Sequence, residues 1–396
     1  MLRSVLALPR VVLLLGVVSF FNDAASDLIY PLVPLYLTSV LMAGPRALGI
    51  IEGISEMCGS LLKLFSGAMA DKTRTKKNWV VGGYVLPALS RPLLGLVSSW
   101  PMALVLRFAD RVGKGLRTSP RDALLAAAVA REQRGLAFGF HRAMDHAGAV
   151  VGPVVAAGLL AGGMTIREIL LWSAAPGALA VMCSLLVREP ERLPEPLATR
   201  FSWNLRDFSP AFKRYLIVLA LFSLGNSSNM FLLLRAREMG LTDSQTPLLW
   251  ALVSLVAMTC STHLSALSDR VERTKVIVGG WICYTLFYLF LGLNGGNPAW
   301  LWPSFAFYGL FIAATEGAEK ALVADLAPSN KLGTAYGWFN VVSGLALLPA
   351  SLIFGGLWQS FNPISAFGFS SACAALAALL LKFWVVPEIA TPPNPS

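Results

Sequence analysis

Residues 117–139, RTSPRDALLAAAVAREQRGLAFG, return in altered form at 315–337 as TEGAEKALVADLAPSNKLGTAYG. The shift is 198 positions, half of the 396-residue chain. The same offset carries Asp71 of SGAMADKTRTKK onto Asp269 of SALSDRVERTKV, Gly135 onto Gly333 and Gly139 onto Gly337. Two separate stretches agreeing on one register identify a tandem duplication, and such self-similarity dictates the architecture before any local pattern does.

Hydrophobic residues make up 56% of the chain and charged residues 14%, against about 45–50% and about 25% in soluble domains. The chain is therefore expected to be an all-α membrane protein. A span needs about 20 apolar residues, and such stretches fall near 11–38, 47–70, 78–99, 100–127, 135–163 and 165–187. The second half repeats them near 212–238, 245–268, 274–296, 299–326, 332–357 and 361–386. This predicts twelve transmembrane helices in two pseudo-symmetric six-helix bundles, residues 1–187 and 212–396, joined by a proline-rich cytoplasmic linker at 188–211. Span one is too long for the apolar core of a signal peptide and no A-x-A site follows it, so it is expected to stay uncleaved.

The net charge is +10, and the basic residues outside the spans sit in alternate loops. Lys72, Arg74, Lys76 and Lys77 follow span two, Arg131 and Arg134 span four, and Arg270, Arg273 and Lys275 span eight; the linker is also basic. By the positive-inside rule these loops and both termini are cytoplasmic, in an inner or plasma membrane, and nucleic acid is not an expected partner. Cys58, Cys183, Cys260, Cys283 and Cys373 are each isolated in apolar surroundings, which predicts neither disulfides nor a metal site. No cofactor is expected.

Charge inside a bilayer costs roughly 2.5–3.5 kcal/mol per group at mid-membrane, so each charged residue there needs a partner, a water-filled cavity or a function. Span one holds Asn22, Asp23 and Asp27, with the two aspartates one turn apart. They are candidate proton carriers, or carboxylates locked to basic neighbours. Span two places Glu52, Glu56 and Lys63 on one face. In span four Arg107, Asp110, Arg111, Lys114, Arg117, Arg121 and Asp122 crowd into one arc. Such a face cannot contact lipid; it attracts an anionic group of a substrate or is neutralised by the acids of spans one, two and five.

His141, Arg142, Asp145 and His146 open span five, and a histidine beside a carboxylate suits proton transfer near neutral pH. Asp23, Asp27, His141, Asp145 and His146 are thus the expected proton-coupling groups. The second half is plainer, with Asn226, Asn229, Glu316, Glu319, Lys320 and Asn340 as its polar centre. Asn22, Glu52, Glu56, Arg107, Arg111, Lys114, Asn226, Glu316 and Asn340 are expected to line a substrate cavity. At the repeat offset Arg121 and Asp122 become Glu319 and Lys320, a reversal of charge order that suggests reciprocal ion pairs across a cytoplasmic gate.

Two parallel six-helix halves with basic loops after spans two and eight resemble the major facilitator superfamily. The segment Gly67 to Lys77, with Asp71 and Arg74, is similar to that family's loop signature, although Thr73 replaces a glycine; Asp269, Arg270 and Arg273 carry the degenerate copy. The resemblance implies an inner gate in which Asp71 docks at the start of span eleven near Leu332 and Asp269 at span five near Gly135. RVGKGLRTS is similar to an Arg-x-x-Gln-Gly signature and implies a coupling or binding role for Arg111, with Lys114 in place of the glutamine. Gly148, Gly152 and Pro153 resemble a Gly-x-x-x-Gly-Pro signature associated with antiporters, and also fit close helix packing alone.

These features predict a secondary transporter, functional as a monomer, that moves a small organic solute by alternating access across the bilayer. Proton-coupled efflux of a drug, metabolite or siderophore-like compound, anionic in one version, is the first expectation. Uptake of an anionic or chelating solute is the alternative, and an intramembrane enzyme or sensor on a transporter fold is the remote one. The chain has no G-x-x-x-x-G-K-[ST], HExxH or G-x-S-x-G, so neither ATP use nor an enzyme activity is predicted.

Overall fold

A computed structural model describes residues 8–71, 76–129, 134–189, 205–206, 208–294, 297–328 and 332–387, without the side chains of 64–65, 67–71, 126, 134–136, 262–263, 265–270 and 332–333. The described residues form helices and no strands. The first half comprises α1 (Arg10–Ile29), α2 (Val33–Ser39), α3 (Pro45–Asp71), α4 (Lys76–Leu93), α5 (Trp100–Ala127), α6 (Arg134–Ala161), α7 (Ile166–Trp172) and α8 (Ala174–Leu186). The second comprises α9 (Pro210–Gly225), α10 (Met230–Glu238), α11 (Gln245–Arg270), α12 (Arg273–Leu293), α13 (Leu301–Leu326), α14 (Leu332–Ser360) and α15 (Pro363–Leu380). Three spans are composite, α1 with α2, α7 with α8 and α9 with α10, so each half crosses the membrane six times.

Among the described residues, seven of these stretches are long and apolar enough to cross a membrane by composition alone. The others include α3 and α5, which pass the same thickness while carrying the acidic and basic residues of the interior. Their charge is tolerated because it faces protein and cavity rather than lipid.

Helix pairing repeats between the halves. In the first, α1 packs on α6 and α8, α3 on α5, and α4 on α5 and α8; in the second, α9 packs on α14 and α15, α11 on α13, and α12 on α13 and α15. The two bundles meet through α3 with α14 and α6 with α11, themselves counterparts under the duplication. These seams are close because small residues line them. A Cβ on Gly53 would lie 3.0 Å from Leu348, and one on Gly355 only 2.6 Å from the Pro45 carbonyl. Where lipid supplies no hydrophobic drive between helices, such backbone approach is the main source of packing energy.

The first span of each half is broken. Tyr30, Pro31 and Leu32 interrupt α1 and α2, with Pro34 in the first turn of α2. Asn226, Ser227, Ser228 and Asn229 interrupt α9 and α10. Backbone groups freed inside a membrane must find partners; the Gly225 carbonyl does so, accepting from the Tyr284 hydroxyl at 2.9 Å. On the side away from the termini the two breaks pack together: Leu35 and Tyr36 of α2 share one apolar core with Phe231 and Leu232 of α10 and Leu48 of α3. The bundles are therefore in apolar contact with each other on that side.

The two interiors differ in kind. Phe222 stacks on Trp281 at 4.5 Å between ring centroids and Tyr284 on Tyr288 at 4.0 Å, inside the second bundle. At the repeat offset Glu52, Arg107 and Asp110 of the first bundle correspond to Trp250, Phe305 and Tyr308. An ionic interior in one half has become an aromatic interior in the other.

Candidate functional site

The deepest charges neutralise one another. Arg107 donates from Nε and Nη2 to Glu52 Oε1 at 3.0 and 2.8 Å, and its Nη1 lies 3.4 Å from Asp110 Oδ2. Asp110 Oδ1 accepts from Arg91 Nε at 2.8 Å, and Arg91 Nη1 also donates to the Asn22 carbonyl and side chain at 2.9 and 3.1 Å. Arg111 Nε sits 2.7 Å from Glu56 Oε1 while its Nη1 is 3.3 Å from Asp110 Oδ2. Three guanidinium groups thus meet three carboxylates, nearly all fully buried. A buried ion array persists only when its lone pairs and protons are satisfied this way, because unpaired desolvation costs several kcal/mol per ion.

This array corrects part of the sequence expectation. Asn22, Glu52, Arg107 and Arg111 stand in the wall beside the cavity rather than on its surface, and Glu56 is turned to Arg111. The helical arc of α5 placed the cations on one face but did not specify their partners on α3 and α4. Arg91, a lone cation in an apolar span, was the unread signal: such a residue by itself demands a partner.

Beside the array lies a polar cavity of about 700 Å³. α5 contributes Lys114, Arg117, Arg121 and Asp122, one helical stripe, and α6 contributes His141, Arg142, Asp145 and His146. Asp23 of α1 and Lys63 of α3 complete the first bundle's share; Glu316 and Lys320 of α13 and Asn340 of α14 face them from the second. A recess of about 280 Å³ shares Glu316, Lys320 and Asn340 and adds Asn226 and Glu319. The structure therefore brings Asp23, Lys114, His141, Asp145, His146, Glu316 and Asn340 together around one cavity, with Asn226 in the adjoining recess. Asp27 is elsewhere: its Oδ1 accepts from Trp250 Nε1 at 3.3 Å, across the α1 to α11 contact.

Within the cavity the acids are engaged. Asp23 accepts from Asn22 Nδ2 at 2.7 Å. Asp145 accepts from the Ser19 hydroxyl and stands 3.5 Å from His141 Nδ1. His141 Nε2 is buried without a hydrogen-bond partner among the described residues. Arg121 is bonded to its own neighbour Asp122 at 2.9 and 3.0 Å, and Trp281 Nε1 donates to Glu319 at 3.0 Å. The expected reciprocal pairs between Arg121, Asp122, Glu319 and Lys320 do not form in this structure; side chains adjacent on their own bundle offered nearer partners. Among the described residues, the ion pair that does join the bundles is Arg142 with Glu316 at 2.8 Å.

Other gate and packing residues are placed as follows. Arg273 pairs with Asp325 at 2.8 Å within the second bundle. Arg74 and the side chains of Gly67, Asp71, Asp269 and Arg270 lie outside the described residues. A Cβ on Gly148 would come 2.5 Å from the Phe20 carbonyl, and one on Gly152 2.5 Å from that of Ala24, so α6 and α1 touch backbone to backbone; Pro153 lies inside α6. Ser19, Ser228, Trp250 and Trp281 were not legible as site residues, being ordinary core types whose importance comes from the carboxylate each one bonds: Asp145, Glu52, Asp27 and Glu319 in turn.

Two helical bundles that pair their helices alike and enclose a polar cavity define a multi-pass membrane transporter. Residues 15–347 and 215–396 match the Major Facilitator Superfamily, and the chain belongs to that family. It is 34% identical over 385 residues to an uncharacterized MFS-type transporter of Methanocaldococcus jannaschii, covering 95% of each chain. It is 26% identical over 275 residues to the multidrug resistance protein MdtG of Escherichia coli, covering 65% of this chain and 66% of that one. Among solved structures, a mutant of the nucleoside transporter NupG superposes with a TM-score of 0.79 at 14% identity, covering 96% of this chain and 100% of that one. A D-xylose-proton symporter does so with a TM-score of 0.77 at 16% identity, covering 96% and 98%. These two likenesses concern the fold. The chain is a transporter and not an enzyme.

Proposed function

We propose that this protein exports a small organic anion by proton-coupled alternating access, with residues 1–187 and 212–396 rocking about the cavity and 188–211 linking them. One observation carries the reading: the charged cavity lies between the bundles while the apolar core of α2, α3 and α10 closes the opposite side. With the basic loops cytoplasmic, this is a state open toward the cytoplasm of an inner or plasma membrane. Asp23 and the His141 and Asp145 pair face the same space as the substrate, which lets proton and solute compete or cooperate there. Similarity to a multidrug resistance protein and the Gly148, Gly152 and Pro153 segment favour export over uptake.

Purified protein reconstituted as a monomer into proteoliposomes tests this. A pH gradient should drive radiolabelled organic anions against their concentration gradient, with the sign of movement giving the direction. Solute flux indifferent to the pH gradient would remove proton coupling, and accumulation with the proton flow would turn the reading to uptake.

A further inference from the structure

Among the described residues, two ammonium groups of the cavity have no ion-pair partner. Of its cations, Arg121 is bonded to Asp122 and Arg142 to Glu316. Arg117 donates to the Gly83 carbonyl at 3.0 Å and lies 4.6 Å over the Tyr84 ring, and Lys320 shares Glu316 at 3.6 Å. Lys63 and Lys114 have no carboxylate within 4.0 Å among the described residues. Both side chains open onto the same space.

The backbone holds these two lysines together. α3 and α5 pack tightly where a Cβ on Gly115 would lie 2.6 Å from Leu62 Cβ and 3.1 Å from the Gly59 carbonyl. Gly115 follows Lys114, and Leu62 precedes Lys63. Four residues further on, the Ser119 hydroxyl donates to the Lys63 carbonyl at 2.9 Å and pins the same register. Two like charges on a rigid, tightly packed helix pair repel each other; Lys320 of the facing bundle adds to the repulsion at Lys63, and Glu56, with Asp23 at Lys114, offsets part of it from beyond ion-pair distance. Water in the cavity screens this only in part. A helix pair built to avoid the repulsion would need only one neutral residue at either position.

We propose that the cavity binds a small organic dianion, with Lys63 and Lys114 holding its two negative charges. One formal charge on the ligand satisfies one lysine and leaves the other unpaired; two charges satisfy both. Phosphomonoesters and dicarboxylates share this chemistry, two anionic charges on oxygen within one small molecule. Lys320 stands opposite on the second bundle, tied to Glu316 at 3.6 Å, so a bound dianion would also meet a cation of that bundle as the halves close. The assignment rests on the transport reading and specifies its substrate class.

Thermal unfolding of the purified full chain in detergent at pH 8 tests it, with glycerol 3-phosphate and succinate as dianions, lactate as a monoanion and glycerol as a neutral control. At least one dianion should raise the melting temperature saturably where lactate and glycerol do not, and which of the two does so separates phosphate from dicarboxylate. Lys63→Gln and Lys114→Gln should each weaken that response at least about tenfold, the scale of a lost hydrogen bond to a charged group. Lys63→Arg should retain most of it, and Lys382→Gln, on the last helical turn away from the cavity, should leave it unchanged. No stabilisation by either dianion, an equal response to lactate, or unaltered affinity in both glutamine variants overturns the proposal. Gradient-driven flux of a neutral or cationic solute alongside such a result leaves the transport reading standing, whereas dianion binding without vectorial flux of any compound retires transport and keeps the site.

Discussion

Arg142 of α6 and Glu316 of α13 face each other across the cavity at 2.8 Å, the one salt bridge between bundles among the described residues. Lys320, one turn beyond Glu316, shares the same carboxylate at 3.6 Å. Both members of the cross-bundle pair are partly exposed, at 55% and 38% of the side chain. Exposed pairs contribute at most about 1 kcal/mol, so this contact biases the separation of the halves without locking it. That is the property a moving interface needs.

Breaking this pair should therefore shift a population rather than abolish folding. With Arg142→Gln, the labelling rate of a cysteine placed at cavity-lining Ala149 should change by no more than about fivefold, the equivalent of about 1 kcal/mol. The reversed pair, Arg142→Glu with Glu316→Arg, should return the rate toward that of the parent. An unchanged rate in both would mean the bridge does not bias the equilibrium.

The buried array responds differently. Arg107→Met strips Glu52 of the guanidinium that meets it at 2.8 Å, in surroundings where both side chains are only 1–2% exposed. Removing one partner of a buried pair costs about 3–5 kcal/mol because the other charge is stranded. The thermal midpoint should fall sharply, and Arg107→Met with Glu52→Met should lose less than the single variant. Equal losses would show that packing, rather than charge, is what Arg107 supplies.

Helix contact is tested at Gly152. Alanine there would force its Cβ to 2.5 Å from the Ala24 carbonyl and 2.6 Å from the Leu28 nitrogen, both backbone atoms that cannot step aside. Destabilisation of about 1–3 kcal/mol is expected. Gly158→Ala on the same helix meets nothing within 4 Å and should be neutral or slightly stabilising, since alanine favours helix. A melting series in which the two variants match would refute the close contact.

Proton coupling is tested at Asp23, which lines the cavity with Asn22 as its only hydrogen-bond partner among the described residues. Asp23→Asn should abolish accumulation driven by a pH gradient while sparing solute exchange across proteoliposomes. Normal accumulation would move the role to the Asp145 and His141 pair.

The amino-acid order by itself determined the duplication, the helical membrane fold and the approximate ends of the spans, because burial in lipid forces long apolar stretches and a repeat copies them. It also singled out α5 as a charged face, since a period of 3.6 residues fixes which side chains share a side. It did not reveal that Arg107 belongs to Glu52, Arg111 to Glu56 and Arg91 to Asp110. A helical period says which residues look the same way; it cannot say what stands opposite. Only the packing of α3, α4 and α5 decided that these cations are spent in the wall, leaving Lys63 and Lys114 facing open space. The same packing separated Asp27, held by Trp250, from Asp23 in the cavity, although one helical turn unites them in the chain.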